Sequence, residues 1–297
     1  RVVLLTADLG YTVVETFREA FSDRFYNVGV AEQNMVGLAT GLAEAGFLPF
    51  VYSICPFASL RAYEIVRDGP ILQQLPVRIL GVGGGLEYGH NGSTHFAVED
   101  LAAYRVQAGI TTIVPADSLQ AAAALKKTWD LPRPLYFRLG KQEHEDTAFV
   151  NGQFELGRLL STGMDTEVAL CCCGPLAYLG LKVVRQLCSE GLDIALHLVS
   201  SFNPDPVEDL KAVLTRARHV VTLEGHRPVG GLGSLLAEVI ADGGFGCRLH
   251  RLGVELPTTG SGSAEYLHQI QGISEHGLAA RLRWIGNSGS RHAIQHS

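Results

Sequence analysis

Short runs of consecutive apolar residues alternate along this chain with stretches whose apolar residues recur every three or four positions. Val2–Thr6 is the first run and reads as a strand. Residues 33–45 predict a helix, with Met35, Val36, Leu38, Ala39 and Leu42 as its buried stripe. Residues 50–53 read as a short strand, 61–66 as a helix, and 77–82 and 110–114 as strands. Pro115, Ala116, Asp117 and Ser118 open an alanine-rich helix reaching Trp129, with Asp117 or Ser118 as N-cap. Leu135–Leu139 closes this half as a strand.

Residues 141–153 are polar, carry no apolar period, and predict a linker. The alternation then resumes. Strands are expected at Val168–Cys173, Ile194–Val199, 219–223 and 248–254, with helices at 176–190, 207–216 and 232–241. Strand-helix alternation of this kind predicts mostly parallel sheets with helices on both faces. The expected organisation is two α/β domains, residues 1–145 and 153–284. Residues 285–297 read as a disordered or appended tail.

Composition supports packed domains. Of 297 residues, 46% are hydrophobic and 18% charged, with a net charge of −6 and both signs interspersed. No basic stripe or basic-aromatic cluster points to nucleic acid. No apolar run reaches the roughly 18–20 residues of a membrane helix. No leader is read at the start, because the first strand begins at once. Cys55, Cys171, Cys172, Cys173, Cys188 and Cys247 lack zinc-site spacing and read as reduced core residues of a cytoplasmic protein.

One segment carries sharper chemistry. Asn27, Val28, Gly29, Val30, Ala31, Glu32, Gln33 and Asn34 place a single carboxylate where a glycine-bearing loop enters a helix. By itself that is also what a helix-start glutamate looks like, favoured by the helix dipole. Further segments follow in order: Pro56 to Glu64 (PFASLRAYE), Gly89 to His95 (GHNGSTH), Thr112 to Asp117, Tyr136 to Arg138, Leu223 to His226 (LEGH), and Gly230 to Ser234 (GGLGS).

Taken together, these segments resemble the pyrimidine-binding and C-terminal domains of transketolases and 1-deoxyxylulose-5-phosphate synthases, over about residues 2–284. The resemblance implies thiamine diphosphate as cofactor, with Glu32 bonded to N1′ of its aminopyrimidine. A carboxylate there favours the 4′-imino tautomer, whose nitrogen is the internal base for the thiazolium proton. Phe57 takes the place of the phenylalanine stacked on the pyrimidine. Ile54 stands where the family has the first aromatic of that pocket, and Leu60 and Arg61 belong to the same cofactor-binding segment. His95 is implied beside the donor's reacting oxygens, as a hydrogen-bonding or proton-moving group. Arg138 is implied as a bidentate ligand of an acceptor phosphate. From the residues alone, Phe57 also fits a core aromatic, His95 a structural loop histidine, and Arg138 an arginine paired with an acid.

The family's diphosphate and Mg²⁺ site, marked by Gly-Asp-Gly and a later Asn, has no counterpart in this sequence, and no metal ligand is assigned to it. The resemblance therefore implies a split enzyme: an N-terminal-type partner subunit holds the diphosphate and Mg²⁺, and the assembly is an α2β2 heterotetramer. Two substrate positions depart from the pattern. Asn91 stands at the family's loop acid, and Gly83 at its phosphate-binding histidine. The expected activity is transfer of a two-carbon ketol unit from a ketose to an aldehyde-type acceptor, in a specialised biosynthetic setting. A pyruvate-decarboxylating synthase of the deoxyxylulose type and a non-catalytic regulatory subunit are the alternatives.

Overall fold

The computed structural model describes residues 1–141, 148–255 and 260–293, with 288–293 as backbone alone. In the first half, strands β1 (Val2–Thr6), β2 (Phe25–Asn27), β3 (Leu48–Ile54), β4 (Arg78–Val82), β5 (Thr111–Ile113) and β6 (Leu135–Leu139) alternate with helices α1 (Glu15–Ala20), α2 (Glu32–Glu44), α3 (Tyr63–Val66), α4 (Asp100–Arg105) and α5 (Ser118–Thr128). The second half contributes β7 (Leu159–Ser161), β8 (Val168–Cys173), β9 (Ile194–Val199), β10 (Ser201–Phe202), β11 (His219–Glu224) and β12 (Arg248–Leu252). Its helices are α6 (Leu176–Ser189), α7 (Val207–Leu214), α8 (Leu232–Gly243), α9 (Ala264–Ile270) and α10 (Glu275–Ala293).

Two sheets result: seven strands in the order β10-β5-β6-β4-β3-β1-β2, and five in the order β12-β11-β8-β9-β7. Pairing is parallel except at two edge strands, β10 on β5 and β7 on β9. β10 belongs to the second half by sequence yet completes the first sheet, pairing Ser201 with Ile113 and Phe202 with Thr112.

Central strands bury both faces, which is why they read as unbroken apolar runs. β8 alternates its side chains between two cores. Leu170 and Cys172 face the layer of α6 and α10, while Ala169, Cys171 and Cys173 face α7 and α8. Burial pushes the Cys171 thiol up to about 12. Cys188, by contrast, is exposed and Cys247 partly so, which corrects the reading of all six as core residues.

Other expectations shift in detail. Asp117 is the N-cap of α5, its Oδ1 accepting from the Gln120 amide at 2.6 Å. Leu38, expected in the buried stripe of α2, is 42% exposed. Residues 142–147 of the expected linker lie outside the described residues, but Phe149 and Val150 at its end pack on the second core. The expected tail is helical as far as Ala293, because α10 continues past Trp284 and buries Ile285 in that same core; residues 294–297 lie outside the described residues.

Candidate active site at the carboxyl edge of the first sheet

Ligands of open α/β sheets bind beyond the carboxyl ends of the strands, and the sequence-predicted residues gather there. β1 and β2 are locked together just past their ends by Asn27. Its Oδ1 accepts from the amides of Asp8 and Gly29, both at 3.0 Å, and its Nδ2 donates to Asp8 Oδ1 at 3.1 Å. Gly29 has φ of +72°, a left-handed turn that suits glycine and aims the chain into α2.

Glu32 is the first residue of α2 and is 1% exposed. Its Oε1 accepts from Ser53 Oγ on β3 at 3.0 Å, and its Oε2 from Arg61 Nη1 at 2.6 Å. The helix dipole favours a carboxylate at this end, and the two donors satisfy a group that would otherwise be costly to bury. Ser53 escaped the sequence reading, although a small hydroxyl residue inside the otherwise apolar and aromatic run of residues 50–54 was a signal for it.

Past the end of β3 the chain turns through Phe57–Arg61, a wide π-type turn of the kind common at functional sites. The turn brings Phe57 and Arg61 together, the guanidinium carbon 4.2 Å from the ring centroid. Ile54, three residues before Phe57, is buried, and Leu60, three residues after it, is half-buried. His95 stands edge-on to Phe57, with ring centroids 5.1 Å apart. His95 Nδ1 lies 3.0 Å from Thr94 Oγ1, which leaves Nε2 for another partner. Asn91 is exposed in the same loop. Glu32, Phe57, Arg61 and His95, distant in sequence, thus form one contiguous chain of contacts.

Tyr88 extends this chain and also escaped the sequence reading. Its ring lies 6.2 Å from that of His95, and the Lys141 ammonium sits 3.8 Å from its centroid. Gly83 lies under Tyr88: a β-carbon at Gly83 would fall 2.2 Å from the tyrosine ring. Tyr52 lies nearby, its phenol pushed up to about 12 by burial. Glu87 accepts from the Lys141 amide at 2.9 Å, and burial pushes its carboxyl up to about 7. It lines a cavity of about 480 Å³ between the two halves, together with Arg138, Cys173, Tyr178 and His268.

Arg138 does not join Phe57 and His95. It is 3% exposed, and its Nε donates to Asp100 Oδ2 at 2.8 Å. One terminal nitrogen donates to the carbonyls of Ala97, at 2.7 Å, and Gly225, at 2.9 Å. Tyr136 donates to the same Asp100 oxygen at 2.7 Å. In this geometry Arg138 is paired with an acid and ties the first half to the second, while it also lines the cavity beside Glu87. Arg105 adds contacts from α4 to the carbonyls of Gly230 and Gly231. Within the second half, Glu224 accepts from the amides of Leu232, at 2.8 Å, and Gly233, at 2.7 Å, at the start of α8. Burial raises its carboxyl to about 7.

Models of two families cover most of this architecture: the transketolase pyrimidine-binding domain at residues 1–146 and the transketolase C-terminal domain at residues 158–278. The chain belongs to the transketolase family. Among its relatives is the 6-deoxy-6-sulfo-D-fructose transketolase subunit SqwH of Clostridium sp. strain MSTE9, 32% identical over 92% of this chain and 85% of the relative. An apulose-4-phosphate transketolase subunit of Phocaeicola vulgatus is 28% identical over 93% of this chain and 89% of its own length. A solved structure described as a split gene transketolase, inactive beta4 tetramer, superposes with a TM-score of 0.85 at 31% identity, covering 95% of this chain and 91% of that one. Among the described residues of this transketolase chain, no helix is long and apolar enough to cross a membrane.

Proposed function

We propose that this chain is the C-terminal-type subunit of a two-part transketolase and supplies the aminopyrimidine half of a thiamine diphosphate site. The observation that carries the reading is the buried Glu32 carboxylate at the foot of the Phe57 ring, where a flat, N–H-bearing group already lies against both. The slot therefore fits an aminopyrimidine. When bound, thiamine diphosphate would supply a nucleophilic thiazolium carbon and an electron sink for cleaving a ketose.

Glu32 would hold a proton at the pyrimidine N1′, oriented by Ser53. Phe57 would support the ring by stacking, with Ile54 and Leu60 keeping water from its edges. His95, with Nδ1 turned to Thr94, presents Nε2 to the donor hydroxyls and can take or return a proton there. Asn91 would read a donor hydroxyl as donor or acceptor. The reaction is transfer of a two-carbon ketol unit to an aldehyde-type acceptor.

The diphosphate and Mg²⁺ belong, in this reading, to an N-terminal-type partner in an α2β2 assembly. The outer face of α2 supports it. Gln33, Asn34, Gly37, Leu38 and Gly41 are exposed along one stripe that starts beside Glu32. Nothing lies within 4 Å of where β-carbons of Gly37 and Gly41 would be, so another backbone can approach closely. Relatives named as subunits, and a split-gene relative described as an inactive tetramer of its beta chain, fit a chain that needs a partner. A cytoplasmic location fits its free thiols.

The test is hydrogen–deuterium exchange at cofactor C2 in the reconstituted assembly. Glu32→Gln should slow it by roughly 10²–10⁴-fold. Exchange at the normal rate would remove Glu32 from the mechanism.

A further inference from the structure

The two residues assigned to the aminopyrimidine are both already engaged by one side chain. Arg61 places its guanidinium carbon 4.2 Å over Phe57 and donates to Glu32 Oε2 at 2.6 Å. A guanidinium is planar, stacks on aromatic faces and presents N–H groups along its edge. An aminopyrimidine presents the same features to the same two residues: a flat face to Phe57 and a hydrogen-bonding edge to Glu32.

The two cannot share that position. Glu32 Oε1 accepts from Ser53 and Oε2 from Arg61, so a ring that bonds to Oε2 while stacked on the same face of Phe57 would overlap the guanidinium. The face of Phe57 under the guanidinium is likewise closed to stacking on that side. Arg61 also has somewhere to go, since its side chain is 41% exposed while that of Glu32 is 1% exposed. It stands at the last position of the π-type turn that begins with Phe57, so rotation about its own side-chain bonds clears the slot without moving the turn.

Resting on the thiamine reading above, we propose that Arg61 is a built-in place-holder for the aminopyrimidine. Before the cofactor arrives it stacks on Phe57 and pairs with Glu32, so the buried carboxylate has an opposite charge beside it as well as the Ser53 hydroxyl. The arriving ring displaces it from both. Arg61 is then a positioning residue whose contact competes with cofactor instead of adding to its affinity.

The sign of one substitution separates competition from ordinary ligation. Binding of 4-amino-5-hydroxymethyl-2-methylpyrimidine, the cofactor's ring without diphosphate, is measured calorimetrically on the full chain as wild type, Arg61→Ala and Arg61→Gln. Arg61→Ala should bind the ring about fivefold more tightly, the gain expected from not having to break a half-exposed ion pair. Its unfolding temperature should fall without the ring and recover more than the wild type's when the ring is added. In a Glu32→Gln background, Arg61→Ala should lower the unfolding temperature little. Arg61→Gln, which keeps a planar amide over Phe57, carries the comparison if the alanine variant does not fold. Equal or weaker binding by the Arg61 variants would overturn the place-holder and make Arg61 a ligand or a bystander. Absence of binding in every variant would instead remove the pyrimidine slot itself, and the place-holder with it.

Discussion

Arg138 and Asp100 form a fully buried ion pair, Nε to Oδ2 at 2.8 Å, and the same guanidinium reaches across to the Gly225 carbonyl in the other half of the chain. Removing one partner of such a pair strands a charge in the interior. Asp100→Ala or Arg138→Ala should each cost about 3–5 kcal/mol of stability, measured by urea unfolding. A phosphate ligand at the mouth of a site would behave differently: Arg138→Ala would leave unfolding unchanged and raise KM for a phosphorylated acceptor.

The glycine at position 83 and Tyr88 are matched. Gly83 has φ of +75°, and a β-carbon there would meet the tyrosine ring at 2.2 Å. Gly83→His, which restores the family's phosphate-binding residue, should destabilise the chain by at least the ~1–3 kcal/mol typical of overpacking. Gly83→His with Tyr88→Ala should recover part of that loss. Together with the burial of Arg138, this pairing motivates the hypothesis that at least one substrate is unphosphorylated or unusual. A preference of about a hundredfold or more in kcat/KM for phosphorylated over matched unphosphorylated aldehydes, about 2.7 kcal/mol, would count against it.

Gly37 lies on the open face of α2 and has nothing within 4 Å of its missing β-carbon. Gly37→Leu should stabilise the isolated chain by about 0.5–1 kcal/mol, because glycine is a poor helix former. The same change should weaken assembly with the partner, by crowding a close backbone approach. Sedimentation of the mixed subunits, set beside thermal unfolding of the chain alone, would show the two opposite signs. Unimpaired assembly would move the partner interface away from α2.

Glu87 gives the stability a pH dependence with a defined sign. Burial raises its carboxyl from 4.5 to about 7. Between those values the folded chain keeps a proton that the unfolded chain has released. Stability should therefore fall as pH rises through that window, by at most about 1.4 kcal/mol per pH unit from this group, and level off above about 7. Glu224, also raised to about 7, adds in the same direction. Glu87→Gln should flatten the profile between pH 5 and 8, leaving the part due to Glu224. An unchanged slope would mean that Glu87 is ionised throughout.

Much of this was legible in the residues. Runs such as Val168–Cys173 are buried on both faces, and their strands begin and end where the apolar pattern does. Segments without room for a period were not: β2 has three residues and β10 two, and each exists because a neighbouring strand offers it an open edge. In the candidate site, Glu32 and Phe57 could be named from local motifs. Ser53 matters through Glu32, 21 residues earlier, Tyr88 through loop contacts with Gly83, His95 and Lys141 that no apolar period marks, and the Asp100 partner of Arg138 lies 38 residues away. Leu38 fits the apolar stripe of α2 by spacing, yet it is exposed on the face that the proposed partner would cover.

β10 has a consequence for how finely this enzyme can be divided. A boundary with the proposed diphosphate-binding partner leaves both sheets of this chain whole. A further cut near residue 150 would separate β5 from Ser201 and Phe202, the strand that caps it. The released first half would carry a raw sheet margin, with unpaired amides and carbonyls beside the apolar residue Ile113, open to adding strands from other copies. It would also lose the Gly225 carbonyl that Arg138 holds. Two-part transketolases of this design should therefore resist becoming three-part ones: the boundary that looks most natural in the sequence is where the polypeptide is stitched across itself.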